Sequence, residues 1–524
     1  MKYFLWIASG FLILALFTQW IRLPLAFEGV WMSPDETANA ITAINWVKTG
    51  DFKLDNPLVK SYEWVFPRSF TPLISQGQIA PVGFLGMIIT MGLVYASFGL
   101  YGLLFFTPFL ALLTLWAWWQ CLPKTWSSAT KFMTLLVWMS FPTVILYANR
   151  GLFPNLVITC LAVWLWYLLT RHRSWWVYLL SGAILGWGLM IRPTEALWLI
   201  PVALCAWLYS WGEKTGTKNK LQTKLVWFFA LGWLALAGLG AVAGWQTYDR
   251  WLVAGYQIRS TVQVQATGAD SLTEQAVSAW EILPFSIHPR NIEWNVRHYV
   301  FWYLWPWTLT ALLAVILMWR ARVWRGLGKW PLLAMTVTAM TVIGFYGNGL
   351  YHDHVLANHP SLGNSFLRYI LPLSVLFAFC AGYVIDVLQR HWSTKILAFC
   401  LTAFLVSFGL WSAISRDNEG LAANEIELKR YADIRDQAKA HLKKETVVVS
   451  DRSDKIFFPA FMAVSPIPEP DSISFMLWNN VPAALFTTTQ NQEGLAKWAL
   501  FGLRLEHLFT DGNESLYDIR IIED

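Results

Sequence analysis

Residues 81–119 read PVGFLGMIITMGLVYASFGLYGLLFFTPFLALLTLWAWW, without a single Asp, Glu, Lys or Arg. About 20 apolar residues suffice to cross a bilayer, and this stretch holds two candidate spans, 81–97 and 101–119. Comparable runs recur along the first four-fifths of the 524 residues: 3–21, 131–148, 155–170, 176–191, 196–211, 225–246, 299–318, 331–346, 370–388 and 396–414. Hydrophobic residues make up 56% and charged residues only 14%, against about 25% charged in soluble domains. With a mean hydropathy of +0.43, this excludes a soluble enzyme, a nucleic-acid binder and a disordered chain. The formal charge of +6 lies in short clusters between apolar runs and does not argue for nucleic acid. The 34 Trp and 33 Phe read as interfacial anchors and lipid-facing bulk. Cys121, Cys160, Cys205, Cys380 and Cys400 lie in or beside apolar runs with no CxxC pair, so neither a disulfide nor a thiolate metal site is expected. Met1-Lys2 leads directly into an apolar run, which reads as a retained first helix.

Basic loops set the topology. Arg171-His172-Arg173, Lys214 to Lys224, Arg320 to Lys329 and Arg390 to Lys395 can all be cytoplasmic together, joined by Lys124 and Lys131. The loops around 149–154, 192–195, 249–298 and 347–365 then lie outside, with everything after 415. Lys2 inside places 25–79 outside as well. Twelve crossings cannot satisfy all of this. The weakest candidate, 79–97, has Pro81, Gly83 and Gly86 near its start and is read as a juxtamembrane or re-entrant helix on the outer side. The expectation is an all-α polytopic membrane protein of the plasma membrane, with about eleven transmembrane helices plus juxtamembrane helices over 1–415. A small C-terminal α/β domain outside the membrane is expected over 416–524. There, helical periodicity covers 421–442, short strands fall at Thr446–Ser450 and Ala483–Thr487, and a hairpin centres on Asp511-Gly512-Asn513. That segment carries no nucleotide motif and no metal cluster.

The loop after the first span reads Trp31-Met32-Ser33-Pro34-Asp35-Glu36-Thr37-Ala38-Asn39. Ser33 is an N-cap, Pro34 stands at N1, and Glu36 at N3 makes a capping box. Ala40, Ile44 and Val47 form an apolar stripe and Gly50 ends the helix. On the residues alone, two readings stay open. The acids cap an amphipathic helix, or an acid pair is held at the outer surface, where a carboxylate acts as general base toward a hydroxyl.

Pro34-Asp35-Glu36-Thr37, followed by Thr49-Gly50-Asp51, resembles the first outer loop of the C-superfamily membrane glycosyltransferases. Within that superfamily it is most similar to the protein O-mannosyltransferases and the lipid A aminoarabinose transferase family. Asn149-Arg150-Gly151-Leu152-Phe153-Pro154, Gly186-Trp187-Gly188-Leu189-Met190-Ile191-Arg192-Pro193-Thr194 and Arg368-Tyr369-Ile370-Leu371-Pro372 extend the resemblance over roughly 1–390. The resemblance implies a polyprenyl-phosphate-linked sugar donor, an inverting transfer to a lipid, glycan or protein acceptor, and a first outer loop ending in a helix that does not cross. It makes Asp35 the base or acceptor-orienting acid, with Glu36 beside it. Two departures stand out. Asn155 occupies the second outer loop, where the family often has an acid. A Lys-Pro-Pro-like phosphate site is missing near Ser69-Phe70-Thr71-Pro72, where Arg68 supplies a cation instead. The Trp-Trp-Asp signature of oligosaccharyltransferases is absent.

A phosphate leaving group needs cations at the outer surface. Arg150 and Arg192 sit at outer helix ends, where snorkelling is the competing reading. Arg368-Tyr369 opens a span, and an arginine at that depth calls for an anionic partner. The loop Phe285-Ser286-Ile287-His288-Pro289-Arg290-Asn291, running on to Arg297-His298, suits a helix beside a lipid headgroup. In that reading Arg297 reaches the phosphate, and His288, Arg290 and His298 contact substrate. Tyr351-His352-Asp353-His354, with His359 nearby, is the one metal-like cluster. Hydrogen bonds from His352, Asp353 and His354 to donor or acceptor are the reading taken, so no metal is assigned and no cofactor is required, a divalent ion being the alternative. The expected function is therefore an outward-facing glycosyltransferase, hexosyl or pentosyl, embedded in membrane lipid. A transporter or flippase of a lipid-linked sugar, or an inactive homologue acting as a scaffold, are the alternatives. Acids cluster at the outer surface instead of within spans, which favours the enzyme.

Overall fold

The computed structural model describes residues 2–212, 219–251, 255–258, 288–322, 329–351, 360–416, 419–490 and 492–522. Its contacts divide the chain into two compact units. One comprises Met1–Gln19, Leu104–Gly240 and Ala276–Ala423; the other comprises Trp20–Leu103, Ala241–Gln275 and Asn424–Asp524.

The first unit is helical. Among the described residues of the whole chain, five helices are long and apolar enough to cross a membrane, or seven if each of two bent pairs counts as one span. The expected eleven are thus not reached by length. Two further apolar helices, Trp175–Ile191 and Leu373–Gln389, are short. The candidate 131–148 is two helices, Ser128–Met139 and Pro142–Asn149, bent by 61° where Pro142 removes a backbone donor. The candidate 299–318 is also overturned as a single span. Pro289–Tyr303 meets Trp305–Arg320 at 94°, with Pro306 in the first turn of the second helix. Helices approach closely where side chains are small. A Cβ on Gly182 would sit 1.9 Å from the Phe229 carbonyl oxygen, and one on Gly232 would sit 2.0 Å from that of Leu179. Gly182 and Gly186 form the small-xxx-small spacing that lets two membrane helices touch at their backbones.

The second unit mixes helices with two sheets. The loop after the first helix, Lys2–Phe27, holds an antiparallel sheet of β1 (Leu54–Asp55), β3 (Gln78–Pro81) and β2 (Phe70–Leu73) in that order. The sequence pattern did not suggest these strands, because Pro72 and Pro81 argue against a ladder. Helix Leu85–Cys121 then begins, and its run holds candidate 101–119 and all of candidate 81–97 from Leu85 onward. Gly99 breaks it with φ 62° and ψ −150°, and the chain folds back so that a Cβ on Gly102 would lie 2.7 Å from the Val94 carbonyl oxygen. Only glycine reaches such backbone angles without strain.

After helix Leu421–His441 come β4 (Val447–Ser450), β5 (Met462–Val464), β6 (Ala483–Thr488), β7 (Leu503–Asp511) and β8 (Glu514–Ile521). They form one sheet in the order β5-β4-β6-β8-β7, parallel across the first three and antiparallel thereafter. The expected helix, strands and hairpin of this segment are present. Successive side chains of the buried strand β4 enter two different cores. Val448 packs with Phe70, Ile79 and Ile434, while Val447 and Val449 pack with Val65, Ile473 and Ile519. Each core thus combines residues of the first loop with residues of the C-terminal segment. Arg435, fully buried, ties them further. Its guanidinium donates to the carbonyls of Glu28 at 2.8 Å, Gly29 at 3.3 Å and Phe458 at 3.2 Å, and also to that of Ile456. Burial pushes its pKa down to about 10, so it stays charged at neutral pH.

Candidate active site

Asp35 belongs to the second unit. Its helix, Pro34–Thr49, starts as the sequence demands: Ser33 Oγ accepts from the Glu36 amide at 3.2 Å and Pro34 fills the first turn. Gly50 closes it at φ 81°. The buried face differs from the expected stripe. Glu36, Thr37, Ala38, Ala40, Thr42 and Ala43 are buried while Val47 is exposed, so the N-terminal half is embedded and the C-terminal half is not. Lys455 Nζ donates to the Met32 carbonyl at 3.0 Å and steadies the approach to the cap. Asp35 itself is half-buried, and Ser69 Oγ donates to its Oδ1 at 2.6 Å. Ser69 has φ 61°, a conformation costly for a non-glycine residue. Its carbonyl is held by the Val82 amide at 2.8 Å. The strained serine thereby orients one carboxylate oxygen. The sequence placed Ser69 near a missing phosphate site and not beside Asp35.

Arg68, taken from the sequence as a phosphate ligand, is engaged elsewhere. Its amide and Nε donate at 2.7 Å to the two carboxylate oxygens of Asp454, a buried residue 386 positions away, and its Nη2 donates to the Arg452 carbonyl. This is a structural ion pair that no local pattern announces.

In the first unit, three of the five arginines assigned to the phosphate from sequence come together. Arg150 caps helix Pro142–Asn149, Arg192 caps Trp175–Ile191, and Arg368 lies in the short helix Ser365–Tyr369. They alternate with aromatic rings. Phe153 has the Arg150 guanidinium 4.9 Å from its ring centre and that of Arg368 at 4.6 Å. Tyr369 has Arg368 at 5.2 Å and Arg192 at 4.5 Å. Tyr346 stacks on Tyr369 at 4.6 Å and also meets Arg192, at 5.2 Å. Guanidinium groups held over aromatic rings keep N–H donors in a planar fork, the group that recognises phosphate bidentately. Arg368 Nη2 also donates to Ser365 Oγ at 2.9 Å.

One carboxylate anchors this row. Glu195, 3% exposed, lies 3.5 Å from Arg192 and accepts from Tyr346 Oη at 2.8 Å and from Trp198 Nε1. The sequence showed Glu195 only as part of a short turn, and it gave Tyr346 no distinguishing signal. Three arginines and one glutamate leave an excess of two positive charges among these groups. Asn155, the residue in place of a second acid, is buried at the start of helix Pro154–Arg171.

The remaining candidates make local contacts. Arg297 is exposed and pairs with Glu293 at 3.4 Å. His298 Nδ1 donates to the Trp294 carbonyl at 2.7 Å, and its ring lies tilted against that indole at 4.4 Å. His288 and Arg290 are exposed, and the His288 amide donates to Asn348 Oδ1. His352, Asp353, His354 and His359 lie outside the described residues. Among the described residues, no three metal-ligating side chains converge.

No family model and no curated protein matches the sequence. Solved structures do match. ArnT from Cupriavidus metallidurans in the apo state superposes over 98% of this chain and 98% of its own, with a TM-score of 0.53 at 14% identity. The same protein bound to undecaprenyl phosphate covers 97% of this chain and 98% of its own, with a TM-score of 0.51 at 14% identity. The apolar helices make the chain a multi-pass membrane protein, and the likeness shows that it shares the fold of ArnT over nearly its whole length.

Proposed function

We infer that the chain is an inverting glycosyltransferase using a polyprenyl-phosphate-linked sugar. The single observation that carries this reading is the row Arg150, Phe153, Arg368, Tyr369, Arg192, a convergence of three guanidinium groups of the kind a phosphate monoester or diester requires. The likeness to ArnT bound to undecaprenyl phosphate supports the lipid carrier. In this mechanism an acceptor hydroxyl, on a lipid, glycan or protein, attacks the anomeric carbon. The bond from that carbon to the phosphate oxygen breaks, and polyprenyl phosphate leaves with its negative charge held by the arginines. The sequence resemblance gives Asp35, whose Oδ1 accepts from Ser69, the role of taking the hydroxyl proton. The arginines replace a metal ion in neutralising the leaving group. In this reading the acceptor approaches from the outer, extracytoplasmic side.

Purified protein incubated with a panel of polyprenyl-phosphate sugars tests this. Donor hydrolysis or transfer is expected with at least one sugar, and Arg192→Met and Arg368→Met should each raise the donor KM at least tenfold. Movement of a lipid-linked sugar across vesicles, without any hydrolysis or transfer, would replace the enzyme with a transporter.

A further inference from the structure

The first unit holds a partly open cavity of about 400 Å³, within the size range of small-molecule and lipid-chain sites. It runs along helix Pro154–Arg171 from Thr159 to Arg171, about 18 Å at ~1.5 Å per residue. Its walls are apolar and aromatic, with Trp166, Tyr209 and Phe379 prominent. One end reaches Trp198, the indole that donates to Glu195. The other end carries Lys124 and Arg171, both exposed. Lys131 lies close enough to both to feel their charge. None of the three cations has a carboxylate partner among the described residues. Arg171 is positioned by its hydrogen bond to the Gln120 carbonyl at 2.5 Å.

A long apolar slot with an uncompensated basic mouth, set among membrane helices, matches one kind of ligand: an anionic amphiphile whose chain fills the slot while its phosphate rests on the cations. We propose that this cavity holds an anionic glycerophospholipid, its phosphate on Lys124 and Arg171 and one acyl chain along helix Pro154–Arg171 toward Trp198. The cations of its mouth, Lys124 and Arg171, are not members of the arginine row, and the proposal does not depend on the transferase reading.

Delipidated, detergent-purified protein is titrated with long-chain phosphatidylglycerol and with phosphatidylcholine of the same chains. Binding is read by native mass spectrometry. The expectation is that phosphatidylglycerol binds at least tenfold tighter. The double variant Lys124→Gln/Arg171→Gln should lose that preference, and Ala162→Phe, which fills the slot, should lose both lipids at this site. Inorganic phosphate and dihexanoyl phosphatidylglycerol should bind at least tenfold more weakly than the long-chain lipid. Equal binding of the two long-chain lipids, or a wild-type preference in the double variant, would overturn the proposal. So would equal affinity for inorganic phosphate, which reduces the site to an anion patch. Competitive displacement by polyprenyl monophosphate would assign the slot to the donor chain instead. The two cations are exposed, so the double variant carries the test even if Ala162→Phe fails to fold.

Discussion

Removing the Glu195 carboxylate is the sharpest test of how the arginine row is held. Glu195→Ala leaves the Arg192 guanidinium, 14% exposed, without its carboxylate and strips the acceptor from Tyr346 Oη and Trp198 Nε1. Breaking one partner of a buried ion pair costs about 3–5 kcal/mol, and each orphaned donor costs about 1–3 kcal/mol. These losses overlap, because water that enters for one group reaches the others. The expected cost is therefore about 3–5 kcal/mol. Glu195→Gln keeps an acceptor and the side-chain volume while losing the charge, so about 1–3 kcal/mol is expected. Denaturant unfolding of the purified protein in detergent, followed by tryptophan fluorescence, measures both. The decisive comparison is Glu195→Ala/Arg192→Met. If the penalty comes from an uncompensated buried charge, the double variant regains most of the stability lost in the single one. A double variant no more stable than Glu195→Ala, or a Glu195→Ala protein within about 0.5 kcal/mol of wild type, would refute the ion-pair account.

Asp35→Asn should lower transfer by about 10²–10⁴-fold while the helix cap persists, whereas Ser33→Ala should cost about 1 kcal/mol of stability with most activity retained. Wild-type transfer by Asp35→Asn would reduce the acid pair to a cap. Arg435→Met, which abandons the carbonyls of Glu28, Gly29, Ile456 and Phe458, should cost at least about 3 kcal/mol and expose residues 28–35 to protease. Unchanged cleavage there would show that the arginine is dispensable. Gly182→Leu should destabilise by about 1–3 kcal/mol or more, because the Phe229 carbonyl occupies its Cβ position. Gly238→Leu, with nothing within 4 Å of the corresponding point, is the control, and equal unfolding midpoints for the two would discount the close crossing.

What the sequence made legible was governed by short-range physics. Long apolar runs, basic loops, the Ser33 cap and the Gly50 stop depend on neighbours a few residues apart. The C-terminal strands were visible because their alternation and turn residues are local. Arg150, Arg192 and Arg368 were each visible as cations at helix ends, although their alignment on Phe153 and Tyr369 is tertiary. The bends at Pro142 and beside Trp305 turned spans that read as continuous into pairs. The β1–β3 sheet was hidden by its prolines. Arg68 was misjudged because Asp454, its partner, is remote in sequence. Glu195 was passed over because a lone glutamate after Arg-Pro-Thr reads as a turn.

The cross-chain ties described for Arg435 and Arg68 also fix an order of events during synthesis. The Glu28 and Gly29 carbonyls wait for a donor that is made 407 and 406 residues later. At roughly 5–20 residues per second, about 20–80 s pass between the emergence of the first loop and that of its anchor. Over that interval the loop, its three strands and Asp35 lack most of their core, although the apolar helices can already have entered the membrane. The surroundings of Asp35 are thus assembled only after residue 435 is made, and a ribosome that stalls before that residue releases a chain whose apolar helices are inserted while its first loop lacks its anchor.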